Sequence, residues 1–495
     1  MNPAVGYSAI VAVAVTSVLI GFYGLRVSRT TSDFYVASRT VRPWWNASAI
    51  GGEYLSAASF LGVAGLILLT GVGGFWFPIG YTAGYLMLLL FVAAPLRRSG
   101  AYTIPDFVRA RLDSIAARRV TSVLVIVIGW FYIVPQLQGA ALTVRITTGL
   151  PSWAGSVAVA LIVAGVVAAG GMRSITFVQA FQFWLKLTAL AVPVFALLIV
   201  VGSGSVEPVL EPVAAFPAEA GPSSLDWYRT VSLMVALLLG TLGLPHVLVR
   251  FYTNPDGPAA RRTTVIVLGL LSVFYLFPTA FGLLGRAFAP DLATTGEADA
   301  LILVLPDRLV PGPVGQLLTA LVIAGAFAAF LSTSSGLVVS LAGVISQDLL
   351  GGSVRGFRAA ALVSSLVPLA VALATESTGL AGSVGLVFAF TASTLCPVLL
   401  LGIWWRGLTS RGAISGMVTG AVLSGAAILL GGPLASAAPA VRPLLEQPAA
   451  WTVPIAVAVT VIVSVADRRG VPRSTDAFLR RLHVPEDARR PSADS

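Results

Sequence analysis

The chain is poor in reactive and charged side chains. Its 495 residues include one cysteine, one lysine and two histidines, and only 11% are charged. The lone Cys396 excludes an intramolecular disulfide; it stands in an apolar run before Pro397, where packing is its expected role. His246 has no second histidine or cysteine near it in the sequence, which speaks against an imidazole or thiolate metal site. No GxxxxGK[ST] stretch occurs, so this chain carries no ATP-driven pump motif. Nothing supplies a nucleophile with its base and an orienting group, so an intramembrane hydrolase built on Glu53 and His246 has no footing. The longest stretches outside apolar runs, 204–228 and 467–495, are too short for a soluble domain, and the appended signalling domain of a membrane sensor is not expected.

Apolar residues fill the space left by charge. They make up 57% of the chain, with a mean hydropathy of +0.90, whereas soluble domains carry roughly a quarter charged residues. Runs of 18 or more apolar residues are long enough to cross a bilayer as helices. Thirteen are expected, at about 5–25, 44–71, 74–95, 119–149, 151–170, 174–203, 229–251, 263–289, 313–347, 357–375, 379–403, 411–431 and 451–466. The fold class is therefore an all-α polytopic membrane protein, with residues 1–495 forming one transmembrane domain. No basic residue precedes the first run, so a cleavable signal peptide is not expected.

The net charge of +10 might suggest nucleic acid, but its distribution does not. With the N-terminus outside, the inner loops and tail hold 25 basic residues, five arginines lie outside, and Lys186 lies within a span. The outer loop 204–228 carries Glu207, Glu211, Glu219 and Asp226. This asymmetry is the positive-inside rule. It places the chain in a bacterial-type plasma membrane with a cytoplasmic tail beside anionic lipid. The tail, 467–495, could form one short basic amphipathic helix at the membrane surface; a solvated tail is the plainer expectation. No obligate protein partner is inferred.

Two spans interrupt themselves. The second breaks at "IGGEYLS" and the seventh at "LGTLGLPHVLVR", where Gly240, Gly243 and Pro245 fall. Five spans apart, they cross the membrane in opposite directions, which is the sequence pointer to an inverted-repeat transporter. Ordinary glycine packing explains Gly240 or Gly65, but a Gly-Gly pair followed by a carboxylate reads as a true break. Backbone freed from helix at that depth must be buried in protein or line a cavity.

Of 21 acids, only Glu53 falls in mid-membrane, which makes it a functional candidate; the plain alternative is an Arg-paired staple. Lys186 could pair with Glu53, meet the substrate, or snorkel its stem towards the interface. Ser332 to Ser335 put four hydroxyls in a row, more than bonding back to the helix requires. Hydroxyls and freed carbonyls together would suit Na⁺. At the seventh break Pro245 can restart a helix, whose free N–H groups and positive dipole end would favour an anion; Ser56 can cap the second half of span two.

"GGEYLSAASFLG", "YTIPDFVRARL", "YIVPQLQGA", "GLPHVLVRFYT" and "AFLSTSSGL…ISQDL" resemble the signatures of the solute:sodium symporter family, closest to its cation/acetate (monocarboxylate) branch, in order from about residue 30 to 410. The resemblance implies a five-plus-five inverted-repeat core of the leucine-transporter type, with repeats at 44–203 and 229–403. It also implies an Na⁺ site made by the carbonyls of Gly52, Leu55 and Ala329 and the hydroxyls of Ser332 and Thr333. Substrate contacts are implied at Glu53, Ser56, Ser59, Gln136, Gly243 and His246. One departure is Glu53 itself, where the branch more often shows aspartate. The expected activity is import of a small monocarboxylate with Na⁺ (H⁺ being a possible coupling ion), with Glu53 ionised and helping to hold the cation. The alternative is symport of another small solute such as proline or another amino acid.

Overall fold

The computed structural model describes residues 3–25, 41–209, 224–375, 379–437 and 441–485. The basic stretch before residue 41, Glu211, Glu219 and residues 486–495 lie outside the described residues. The described residues form helices α1 (Pro3–Leu25), α2 (Pro43–Tyr54), α3 (Val63–Thr70), α4 (Trp76–Phe91), α5 (Ile104–Leu112), α6 (Ile115–Thr148), α7 (Trp153–Gly202), α8 (Ser224–Gly243), α9 (Pro245–Val249) and α10 (Gly257–Phe288). They continue with α11 (Pro313–Leu349), α12 (Val354–Ala374), α13 (Leu380–Trp404), α14 (Ser410–Ala437), α15 (Ala449–Ala466) and α16 (Thr475–His483).

Twelve stretches of the described residues are long and apolar enough to cross a membrane. One of them, Ala58–Phe91, contains two passages. Gly71 takes φ 60°, a left-handed value that favours glycine, and the chain doubles back there: the rings of Tyr54 and Tyr81 lie 6.0 Å apart. Division at Gly71 gives thirteen crossings, in agreement with the sequence. A similar device works in α7, where Gly171 (φ 59°, ψ −159°) separates two spans that run together as one 50-residue helix.

Burial sorts the helices into core and rim. The most apolar window of α13 is 83% buried, that of α1 only 28%. Leu19, Ile199 and Leu429 are exposed in spans, as expected of side chains that face lipid. Polar staples close the loop-rich end. Arg111, fully buried, donates from Nε to the carbonyl O of Gly402 (2.9 Å) and from Nη2 to that of Trp405 (3.0 Å), which satisfies the free carbonyls ending α13. Arg118 bridges Asp106 (3.0 Å) and Asp348 (2.6 Å).

The tail departs from the solvated expectation. α16 buries Phe478 and Leu482, and Arg111 Nη1 donates to Thr475 Oγ1 at 3.1 Å. His483 Nε2 lies 2.9 Å from the carbonyl O of Ile403. The helix is amphipathic, as one reading allowed, but its apolar face is spent on the protein.

Candidate functional site

The first break falls three residues after the glycine pair, at Leu55. α2 runs through Gly51 and Gly52 as regular helix to Tyr54, and the backbone leaves it at Leu55 (φ −75°, ψ 86°). After Ser56 the chain re-enters through a π-helical turn, Ala58–Gly62. The glycines serve close packing, contrary to the sequence reading. A Cβ on Gly51 would lie 2.8 Å from the Phe183 ring, and one on Gly52 would collide with the carbonyl O of Gln179. Helix α7 is thereby pressed against α2.

The backbone groups released at this break find side-chain partners, as burial at that depth requires. The N–H of Ala57 donates to Gln136 Oε1 at 2.8 Å, and Thr333 Oγ1 donates to the carbonyl O of Glu53 at 2.6 Å. The carbonyl oxygens of Gly52 and Leu55 accept from Lys186 Nζ at 2.5 and 2.7 Å, and Ser332 Oγ lies 2.9 Å from the same nitrogen. Ser332 Oγ in turn donates to the carbonyl O of Ala329 at 3.1 Å.

These contacts decide how the expected Na⁺ ligands stand. Three of them, Gly52, Leu55 and Ser332, do converge, but on an ammonium rather than on open space. Thr333 turns its proton towards the carbonyl O of Glu53, and the Ala329 carbonyl accepts from Ser332. As arranged, this cage does not fit Na⁺ alongside Lys186.

Glu53 is held by an arginine that the sequence reading passed over. Arg250 Nε donates to Glu53 Oε2 at 2.7 Å, with both side chains buried. Arg250 also reaches Thr176 Oγ1 (2.7 Å) and Gln179 Oε1, and Gln179 Nε2 donates to the carbonyl O of Ser332 at 2.8 Å. Gly336 makes room for the carboxylate, since a Cβ there would collide with it. The Arg-paired staple is thus the arrangement observed, rather than a free carboxylate holding the cation. Arg250 stood in the quoted "GLPHVLVRFYT", inside an expected span and beside a break; that placement was the available signal.

The second break is a single extended residue, Leu244 (φ −66°, ψ 115°), between α8 and α9. The helix that restarts at Pro245 is only five residues long, so no sustained half-helix dipole faces the site. His246 is fully buried with both ring nitrogens unpartnered, its ring 5.0 Å from that of Tyr132. Gly243 packs on α13, where a Cβ would lie 2.8 Å from Thr391 Cγ2.

Around the breaks lies an aromatic box. Tyr54 meets Tyr85 edge-on at 4.6 Å, Tyr81 stacks on Tyr275 at 5.9 Å, and Phe388 closes on Tyr81 at 5.2 Å and on Tyr132 at 6.0 Å. The hydroxyls of Tyr81 and Tyr85 are buried without partners. Ser56 Oγ lies beside the Tyr132 phenol but completes no hydrogen bond by geometry. Ser59 pairs with Tyr275 (2.9 Å), and Gln136 accepts from the first break. Of the expected substrate residues, Ser56 and His246 keep unspent polar atoms, and Glu53 keeps Oε1. The tyrosines were not read from the sequence, because the turn at Gly71 is what brings Tyr81 and Tyr85 back to the break.

Residues 34–420 match the Sodium:solute symporter family. The chain is 33% identical over 426 residues to the uncharacterized symporter YwcA of Bacillus subtilis (strain 168), covering 82% of each. It is 30% identical over 465 residues to the monocarboxylic acid transporter of Corynebacterium glutamicum, covering 85% of this chain and 82% of that one. In fold it is similar to a Na⁺-coupled sialic acid symporter in a substrate-bound outward-open state (TM-score 0.67, 16% identity, 93% of this chain and 98% of the other). It is also similar to the nucleobase-cation-symport-1 family transporter Mhp1 in a closed conformation (TM-score 0.58, 14% identity, 90% and 98%). These likenesses show the leucine-transporter-type fold. With that fold, two interrupted helices at its centre and most of its length matched, the chain belongs to the sodium:solute symporter family and is a Na⁺-coupled transporter, not an enzyme.

Proposed function

We propose that the solute carried with Na⁺ is a small monocarboxylate of the acetate, propionate or pyruvate kind, bound between the two breaks. The observation that carries this reading is the set of buried, unspent polar groups there: the His246 ring, with one N–H to donate, and the hydroxyls of Ser56, Tyr81 and Tyr85. Buried polar groups are normally paired, so a cluster of unpaired ones is suited to a ligand. A carboxylate accepts hydrogen bonds from up to about four directions, and the ring faces suit a short alkyl end. Formal charge favours an anion as well. Counted by residue type, Lys186 and Arg250 are two basic side chains beside the single acid Glu53. The relative in Corynebacterium glutamicum, a monocarboxylic acid transporter, supports the same class.

Residues 44–203 and 229–403 would act as the two inverted repeats, rocking about the broken helices to open the site to either side. The N-terminus lies outside and the Arg-rich tail inside on this reading, supported by the arginine asymmetry. A cysteine placed near Ser495 should resist an impermeant thiol reagent in intact cells.

Proteoliposomes loaded across an Na⁺ gradient test the substrate class. Labelled acetate, propionate or pyruvate should accumulate with the gradient and not without it. Gradient-driven uptake of proline, with none of the three acids carried, would overturn the proposal in favour of an amino-acid symporter.

A further inference from the structure

Lys186 is the only lysine among 31 basic residues, and it is fully buried. It lies on one face of α7 with Gln179 and Phe183, at i, i+4 and i+7. That face is the one admitted by Gly51 and Gly52. The side chain ends among three oxygens. Those of Gly52 and Leu55 are carbonyls, which only accept. Ser332 Oγ lies within reach of the Ala329 carbonyl, so it is placed to give its proton there and accept from Lys186. Three acceptors around one nitrogen match the three N–H donors of an ammonium. A guanidinium, a planar fork with five donors, could not enter the same corner; a compact point charge can.

We propose that the Lys186 ammonium is the resident cation of this cage, a tethered charge in the place expected for Na⁺, and that the Na⁺ this transporter couples to is not held by these oxygens. The charged groups facing Lys186 are Glu53 from α2 and, behind it, Arg250 after α9, and these two neutralise each other. Nothing is left over to offset a second cation in the cage, where like charges at contact repel strongly. The tether also stitches three helices together: α2 through its freed carbonyls, α7 through the lysine stem and α11 through Ser332. The cage is then part of the scaffold rather than a binding site that fills and empties.

Two measurements on the purified full chain, neither needing a transported solute, test this. Because Lys186 is the sole lysine, amine acylation read by peptide mass spectrometry reports on it directly, separately from the N-terminal amine. Acylation of Lys186 should stay at background in both NaCl and choline chloride. An increase of threefold or more in NaCl would mean that Na⁺ expels the side chain, and would overturn the proposal. In the second measurement, Ser332→Ala should leave the half-saturating concentration for radiolabelled Na⁺ binding within threefold of the parent. A larger rise would assign Ser332 to the Na⁺ shell and overturn it as well. The acylation result stands on the parent protein should Ser332→Ala fail to fold.

Discussion

The two helix breaks are built differently. At the first, every released group named above is taken up by another helix: Ala57 by Gln136 of α6, Gly52 and Leu55 by Lys186 of α7, and Glu53 by Thr333 of α11. At the second, the backbone interruption is one residue long, yet it delivers a buried histidine with nothing to bond. The first break is stitched and the second is left open. Broken backbone at membrane depth therefore does not by itself mark a ligand site; the test is whether its polar groups are already spent. Arg250 and Glu53 join the two sides as an ionic bolt from beyond the second break to the helix before the first, and Asn46 joins them again through the carbonyl O of Arg250 and the hydroxyl of Thr253, both at 3.2 Å.

The largest effect is expected from breaking that bolt. Arg250→Ala leaves the buried Glu53 without its ion-pair partner, which costs about 3–5 kcal/mol; thermal unfolding in detergent should show a large loss, with expression falling. Adding Glu53→Gln to Arg250→Ala should recover part of that loss. No recovery would mean that Arg250 acts mainly through Thr176 and Gln179.

Next comes the open break. His246→Phe removes no bond present in the structure, so stability should hold within about 1 kcal/mol. A hydrogen bond to a charged ligand is worth about 1.5–3 kcal/mol, so KM for the transported acid should rise tenfold or more. A stability loss with KM unchanged would make His246 a packing residue.

The stitched break predicts the reverse pattern. Gln136→Leu orphans the Ala57 N–H at a cost of about 1–3 kcal/mol, read as a lower unfolding temperature, with KM nearly unchanged among molecules that remain folded. The smallest effect belongs to Ser59→Ala, which removes one neutral bond to Tyr275, worth about 0.5–1.5 kcal/mol. Its unfolding temperature should fall only slightly, and a large shift would show that Tyr275 anchors more of the aromatic box than its single bond implies.

Much of the architecture was legible in the residues. Apolar runs gave thirteen crossings, including the division between 44–71 and 74–95, which falls at the turn of Gly71. Both breaks were found; the first falls at the end of the quoted "IGGEYLS", at Leu55, rather than at its glycines. Gly51 and Gly52 resembled a backbone interruption because glycine is equally the residue of broken helices and of close helix contacts, and a sequence does not say which. Lys186 was left open between pairing and snorkelling, since its three acceptors come from α2 and α11, 131 to 146 positions away. The basic tail looked solvated because its apolar residues are few, yet Phe478 and Leu482 have a surface to dock on.

The sequence by itself determined the membrane class, the number of crossings, the family and the two interrupted helices, because hydropathy, glycine and proline act locally along the chain. Tertiary structure alone decided what each polar group does. Gly52, Leu55 and Ser332 became ligands of an ammonium, Glu53 became half of an ion pair, and His246 was left unspent. In a buried interior a polar atom takes the partner that folding brings within about 3 Å, and here that partner often belongs to another helix.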